Sequence, residues 1–187
     1  MLFRSAWYGA GDIGWIYDDH SNIVGEVPAL EAVWGRGAFL EGTQRPLTRL
    51  TFALDHSMFG LEPRWFHRTN VALHAAAAIL AFLVPLAAVR TLGRRGIRLG
   101  DGWTTFFTAW SIAAIWALLP VQTAAVSYVV QRAELLVAIF TFLALLALLR
   151  AAASPRGAGW SILMVLARSE EHTSELQSRQ YLVCRLL

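Results

Sequence analysis

Three long apolar segments, at about 71–89, 103–119 and 133–149, constrain the fold of this chain more than any other feature. A hydrocarbon core of about 30 Å takes roughly 17–25 helical residues to cross, and each segment reaches that length. Because lipid offers no water to unpaired backbone groups, such segments are predicted to be helices. The sequence therefore predicts an all-α polytopic membrane protein with three complete transmembrane helices and the start of a fourth, over 159–167.

The composition agrees with a chain that is solvated by lipid. Of the 187 residues, 56% are hydrophobic and 16% are charged, against roughly 25% charged in an ordinary soluble domain. The single cysteine, Cys184, excludes a disulfide framework within the chain. The net charge of +3 is small and scattered between the apolar segments, which argues against nucleic acid as a partner. We therefore expect membrane lipid as a partner and no nucleic acid.

The distribution of arginine predicts which loops face the cytoplasm. The loop 90–102 holds four arginines against one aspartate, so the positive-inside rule places it in the cytoplasm. Residues 6–70 then lie outside, and their five arginines against eight acidic residues give a net charge of −3. Within this outer loop, proline and glycine signals predict a short helix over 28–34 and an amphipathic helix over 46–59 that Gly60 ends.

An acidic pair, Asp18 and Asp19, lies in the outer loop within the sequence YDDH. Adjacent carboxylates of this kind can act as a general base or as oxygen ligands of a divalent cation. The alternative is an Asx-type turn, in which Asp19 bonds to its own backbone. Taken alone, the pair favours the turn.

Three further polar clusters lie on the same predicted side of the membrane. Arg45, just ahead of a helix start, could bind a phosphate or extend toward lipid headgroups. The segment 65–70 contains His67, which shares a helical face with His74; the pair could bind a metal ion, but an interfacial aromatic belt with a hydrogen-bonded histidine fits better. The third cluster comprises Gln122, Tyr128, Gln131 and Arg132. Because these clusters are predicted to lie on the same side of the membrane, we expect them to form one site at the boundary between membrane and water.

Taken together, the segments YDDHSNI, QRPLTRLTFALDHSMFGLEPRWFHRTNVALH and ALLPVQTAAVSYVVQRAELL resemble the N-terminal membrane region of one protein family. The family is that of bacterial tetratricopeptide-repeat membrane proteins related to the protein O-mannosyltransferases, and the resemblance covers about 14–150. It implies a fragment of the glycosyltransferase fold called GT-C, in the bacterial inner (cytoplasmic) membrane, with residues 6–70 facing the periplasm or exterior. It also implies a polyprenyl-phosphate sugar donor, a protein acceptor and a C-terminal repeat domain.

The resemblance also implies roles for individual residues, because Asp18 and Asp19 fall at the family's acidic motif. One of the two would be the general base, and a divalent cation, if one is used, would bind to this pair. Arg45 or Arg132 would stabilise the lipid-phosphate leaving group. The remaining substrate-binding candidates are His67, Gln122, Tyr128 and Gln131. The alternative is a non-catalytic membrane anchor or assembly platform for the tetratricopeptide repeats.

Both ends of the chain resemble translated sequencing adapters. Residues 168–178 read RSEEHTSELQS, which matches the translation of a common short-read adapter, and residues 1–5 are similar to its other orientation. On this interpretation residues 1–5 and 168–187 are artefacts. Residues 6–167 would then be a fragment of a longer gene, too short for turnover on its own.

Overall fold

The computed structural model describes residues 14–15, 19–32, 45–94, 96–97 and 100–153, and over these residues the chain is helical with no β-strand. A π-helical turn, His20–Val24, precedes the first described α-helix, and a 3-10 turn, Val129–Gln131, precedes the last. The α-helices are α1 (Val27–Ala32), α2 (Pro46–Phe59), α3 (Pro63–Arg94), α4 (Gly102–Leu118), α5 (Val121–Ser127) and α6 (Arg132–Ala153). The all-α prediction is thus confirmed for the part of the chain that the structure describes.

Two helices are long and apolar enough to cross a membrane, namely Pro63–Arg94 and Val129–Ala153. They contain the first and third predicted spans. The second predicted span is α4, an apolar helix of 17 residues, which at 1.5 Å per residue is about 26 Å long. The predicted fourth segment, 159–167, lies outside the described residues.

The amphipathic helix predicted over 46–59 is confirmed by α2, with the same bounds. Pro46 occupies the first turn, where its missing N–H is no loss. Gly60 ends the helix with φ 65° and ψ −148°, and its N–H donates to the carbonyl of His56 at 2.8 Å. The shorter predicted helix appears as α1, which begins one residue before Pro28.

Two segments that were expected to be loops are helical. Helix α3 begins at Pro63 instead of near 71, because the fixed φ of proline favours a helix start. Between α4 and α6, the residues at about 120–132, which the spacing of the apolar segments predicts to be an outward-facing loop, contain α5 and the 3-10 turn. His67 and Asn70 therefore lie within a regular helix, as the shared helical face of His67 and His74 requires.

The chain divides into two compact units, of which the first comprises Met1–His74 and Pro120–Leu136. Its apolar core is formed by six buried side chains, with Trp15 and Leu50 packed against them. Trp15 meets Phe66 edge-on at 5.1 Å between ring centroids. The six buried residues are Ile23, Leu30, Phe52, Ala53, Phe66 and Val129. This unit contains every described residue of the predicted site.

The second unit comprises Ala75–Leu119 and Val137–Leu187. Its buried positions in the described helices are mostly alanines, which let helix backbones approach closely, as in membrane bundles.

Asp101 accepts a hydrogen bond from the N–H of Thr104 at 2.9 Å and so caps the start of α4. Bonds from the Thr104 side chain and backbone hold the pKa of this exposed carboxyl below its ordinary value. Large apolar side chains of α4, including Trp103 and Trp110, are exposed in the chain alone, as expected for a surface that faces lipid.

Candidate functional site

A buried ion pair lies at the centre of the first unit, where α6 begins. The Arg132 guanidinium is fully buried and its Nη2 lies 2.7 Å from Oδ2 of Asp55. Its Nε donates to Oδ1 of Asn70 at 2.7 Å, and its Nη2 also donates to the Phe66 carbonyl at 3.0 Å. Its Nη1 donates to the Thr51 hydroxyl at 3.2 Å. All three guanidinium nitrogens are therefore used within the protein.

Helical spacing explains why these partners converge. Thr51 and Asp55 are four residues apart on α2, and Phe66 and Asn70 are four apart on α3, so each pair shares one face of its helix. Arg132 bonds to both pairs from the first turn of α6. The cluster joins α6 to two consecutive helices, α2 and α3, whose bonding residues Asn70 and Thr51 lie 62 and 81 positions before Arg132.

Two further contacts complete this cluster. The Thr69 hydroxyl donates to Oδ1 of Asp55 at 2.9 Å, so both carboxylate oxygens of Asp55 have partners. The Arg132 guanidinium carbon lies 4.5 Å from the ring centroid of Phe52, within cation–π distance. We call Arg132, Asp55, Asn70, Thr51 and Thr69 the arginine cluster. Its charges are compensated internally, which a buried guanidinium requires.

Asp19, from the acidic pair, lies beside the arginine cluster in the same unit. Its side chain is fully buried. Its Oδ1 accepts the N–H of Val130 at 2.8 Å and its Oδ2 accepts the N–H of Val129 at 3.2 Å. These are the first residues of the 3-10 turn that leads into α6. A carboxylate at the start of a helical segment is further stabilised by the positive end of the helix dipole.

The segment from Tyr128 to Arg132 joins Asp19 to the arginine cluster. The Asn70 amide donates to the Tyr128 carbonyl at 3.4 Å, while its own carbonyl oxygen accepts from Arg132. The next two backbone N–H groups, after Tyr128, are those that bond to Asp19. The structure thus brings Asp19, Asn70 and Arg132 to one short segment, which joins residues from three of the predicted polar clusters.

The other predicted residues take different positions. Arg45 precedes α2 and is half-buried; its side chain does not cap the helix, and no described residue accepts a hydrogen bond from its Nε. His67 is fully buried on α3. Gln122 and Gln131 are half-buried and Tyr128 is exposed. Asp18 lies outside the described residues.

In the described part of the chain, neither Asp19 nor the pair of His67 and His74 belongs to a larger set of metal-binding side chains. No group of three or more His, Cys, Asp or Glu side chains comes together there. Both oxygens of Asp19 accept hydrogen bonds from backbone N–H groups, and such donors stabilise the negative charge of the carboxylate.

The sequence alone does not identify Asp55 or Thr51 as site residues, although both contact Arg132. A signal for Asp55 is present in the pattern of α2. Asp55 lies three residues after Phe52 and four before Phe59, on the apolar stripe of the helix. An acidic residue within an apolar stripe indicates a buried partner of opposite charge.

Comparison with curated proteins finds distant relatives that share one name. The chain is 36% identical over 102 residues to protein O-mannosyl-transferase TMTC2 of Homo sapiens, which covers 54% of this chain and 10% of the relative. It is 28% identical over 144 residues to protein O-mannosyl-transferase F38B6.6 of Caenorhabditis elegans, which covers 70% of this chain and 19% of the relative. It is 31% identical over 137 residues to protein O-mannosyl-transferase Tmtc1 of Drosophila melanogaster, which covers 65% of this chain and 14% of the relative.

These relatives are much longer than the matched region. The chain spans about a tenth of the length of the first of them. No protein-family model matches the chain, and no solved structure matches it significantly. The two spanning helices and the relatives together indicate a membrane protein that is related to the protein O-mannosyltransferases.

Proposed function

We propose that this chain is part of an integral-membrane glycosyltransferase. It transfers a sugar from a polyprenyl-phosphate donor to hydroxyl groups of proteins outside the cytoplasm. The observation that carries the proposal is the carboxylate of Asp19, held at the start of a helix long enough to cross a membrane, in a chain similar to proteins named O-mannosyl-transferases. The proposed setting is the bacterial inner membrane, with residues 6–70 on the outer side and a repeat domain further along the full-length protein.

The proposed step is a displacement at the anomeric carbon of the sugar. One of Asp18 and Asp19 accepts the proton of the acceptor hydroxyl as its oxygen forms the new bond to the sugar. The bond between sugar and phosphate breaks, and the polyprenyl phosphate leaves with the electron pair. A divalent cation held by the acidic pair is the alternative role for these carboxylates.

Arg45 is the better of the two arginine candidates for the leaving phosphate. The nitrogens of Arg132 already donate three hydrogen bonds within the protein and form an ion pair with Asp55, whereas the Nε of Arg45 has no described acceptor. A guanidinium can donate two parallel bonds to a phosphate, which suits charge that develops on the leaving group. His67, Gln122, Tyr128 and Gln131 remain candidates for orienting the sugar.

The test is sugar transfer in membranes that contain the full-length protein, with polyprenyl-phosphate mannose as donor and a peptide rich in serine and threonine as acceptor. The double variant Asp18→Asn, Asp19→Asn should lose about 10²–10⁴-fold in rate, because neither amide can accept the proton. Asp101→Asn, which changes a helix-capping carboxylate of the second unit, serves as the matched control and should keep normal transfer. Normal transfer by the double variant would contradict the assignment.

A non-catalytic membrane platform for a repeat domain is the second candidate. It is favoured by the internal use of both Asp19 and the arginine cluster, whose described bonds all go to other parts of the chain. Absence of transfer by the wild-type protein in the same assay, with the protein folded and inserted, would support the platform and overturn the transferase.

A further inference from the structure

In the second unit, the last turns of α3 and α6 lie side by side. Helix α3 ends at Arg94 and α6 ends at Ala153, and Nη1 of Arg94 donates to the Ala153 carbonyl at 3.4 Å. One turn further into the helices, the Thr91 hydroxyl donates to the Leu149 carbonyl at 3.5 Å. These bonds join the ends of the two helices that are long and apolar enough to cross a membrane.

Three exposed arginines adjoin this contact. Arg90 and Arg94 are four residues apart on α3 and share one face of that helix, and Arg150 directly follows Leu149 on α6. We call Arg90, Arg94 and Arg150 the basic end. Among the described residues of this unit, Asp101 is the only acidic one, and its carboxylate caps α4. The basic end therefore carries three positive charges against a single carboxylate in the described part of the unit.

The face of α3 that carries two of these arginines continues as an exposed apolar stripe. Ile79 and Leu83 are exposed on α3, and in a regular helix they lie within about 60° of Arg90 and Arg94 around the axis. At the start of α4, after the predicted cytoplasmic loop, Trp103 is 72% exposed. Because tryptophan is enriched where a membrane meets water, Trp103 marks the level of the lipid headgroups at this end.

The helix dipole accounts for part of the basic end. Arg94 and Arg150 lie in the last turns of their helices, where a cation compensates the partial negative charge of the carbonyl groups. Arg90 lies a full turn before the end of α3, beyond the range of that effect. An arginine at this depth extends its guanidinium toward the headgroups while its carbon chain stays in the apolar layer.

We propose that the basic end binds the headgroup of an anionic phospholipid in the predicted cytoplasmic leaflet, with an acyl chain along the stripe of Ile79 and Leu83. A guanidinium donates two parallel hydrogen bonds to a phosphate. Basic pockets between membrane helices on the cytoplasmic side are suited to cardiolipin, whose two phosphates match a group of three arginines. The site is at the opposite end of α3 from the arginine cluster, and the inference does not depend on the proposed function.

Native mass spectrometry of the full-length protein in a neutral detergent measures the Kd for cardiolipin, with phosphatidylcholine as the neutral lipid of comparison. In the variant Arg90→Gln, Arg94→Gln we expect the Kd for cardiolipin to rise by about 30-fold, because two arginines near the membrane surface are lost. Loss of Arg94 also removes its bond to Ala153. A second variant, Arg90→Gln, Arg150→Gln, keeps that bond and should show a similar rise.

The matched control is Arg64→Gln, Arg68→Gln. It removes two exposed arginines, also four residues apart on α3, from the other end of the helix. Arg64 pairs with Glu62 at 3.5 Å, and the Arg68 guanidinium carbon lies 4.6 Å from the ring centroid of Trp65. Since these two arginines already have partners, the control should bind cardiolipin as the wild type does.

Each outcome bears on the site directly. Weaker binding of cardiolipin in both variants of the basic end, with the control unchanged, supports the proposal. Unchanged binding in these variants overturns it, and so does an equal loss in the control, because binding would then follow overall charge. Inorganic phosphate that displaces cardiolipin at an equal concentration of phosphate would identify a site for a soluble anion and overturn the assignment to lipid. No sugar transfer is measured, so these outcomes are independent of the transferase assay.

Discussion

The arginine cluster shows how a charged residue is accommodated at the start of a membrane helix. Arg132 is fully buried, and Asp55 is only 5% exposed. Burial of two charges is unfavourable in isolation, so their mutual attraction and the additional hydrogen bonds from Asn70, Thr51 and Thr69 offset the loss of water. The ion pair of Arg132 and Asp55 therefore stabilises the fold only when both partners are present.

We expect Asp55→Ala to lower the free energy of unfolding by about 3–5 kcal/mol, because it leaves the Arg132 guanidinium buried without its counter-ion. The exposed pair of Arg64 and Glu62, 3.5 Å apart with half-exposed side chains, provides the control. Glu62→Ala should change the free energy of unfolding by about 1 kcal/mol or less. Denaturant unfolding in detergent measures both. Similar losses in the two variants would show that Asp55 does not compensate Arg132.

At the scale of elements, the ends of α2 follow from single residues. Pro46 and Gly60 mark its ends in the sequence, and the structure agrees with both. The start of α3 is missed, because apolar content identifies where a span lies and not where its helix begins. The partners of Arg132 are also missed, since residues on α2 and α3 contact α6 only through tertiary packing.

Glycine at position 60 is required by the backbone, whereas glycine at position 93 is not. Gly60 has φ 65° and ψ −148°, a conformation that residues with a Cβ atom rarely adopt. Gly60→Ala should therefore destabilise the protein by about 1–3 kcal/mol. Gly93 lies in the helical part of α3 with open space around its Cα, so Gly93→Ala should stabilise by about 0.5–1 kcal/mol. Thermal unfolding of the two variants checks the opposite signs, and a shared sign would refute this explanation.

At the scale of the whole molecule, the arginines of the loop 90–102 predict the orientation, and two of the described helices are long and apolar enough to cross a membrane. The sequence alone supports the helical class, the spans and the acidic pair. The internal partners of Arg132 and Asp19 require coordinates, because their bonding groups are separated by tens of residues and half of them are backbone atoms.

The predicted orientation can be tested with single cysteines after Cys184 is replaced by serine. Ser57 and Ile97 are both exposed, one before and one after the span in α3. A membrane-impermeant maleimide should label Ser57→Cys in intact cells or spheroplasts, and it should label Ile97→Cys only after permeabilisation. The reverse pattern would invert the proposed topology, and labelling of both in intact cells would show that α3 does not cross the membrane.

The order of the arginine cluster along the chain has a consequence for biogenesis. Asp55, Asn70 and the other partners all precede Arg132 in sequence, and a membrane protein is synthesised from its N-terminus. The acceptors on α2 and α3 are therefore synthesised before the arginine. An arginine within an inserting segment is costly when it has no partners. Here the partners that compensate the charge of Arg132 are synthesised before the last described helix, α6.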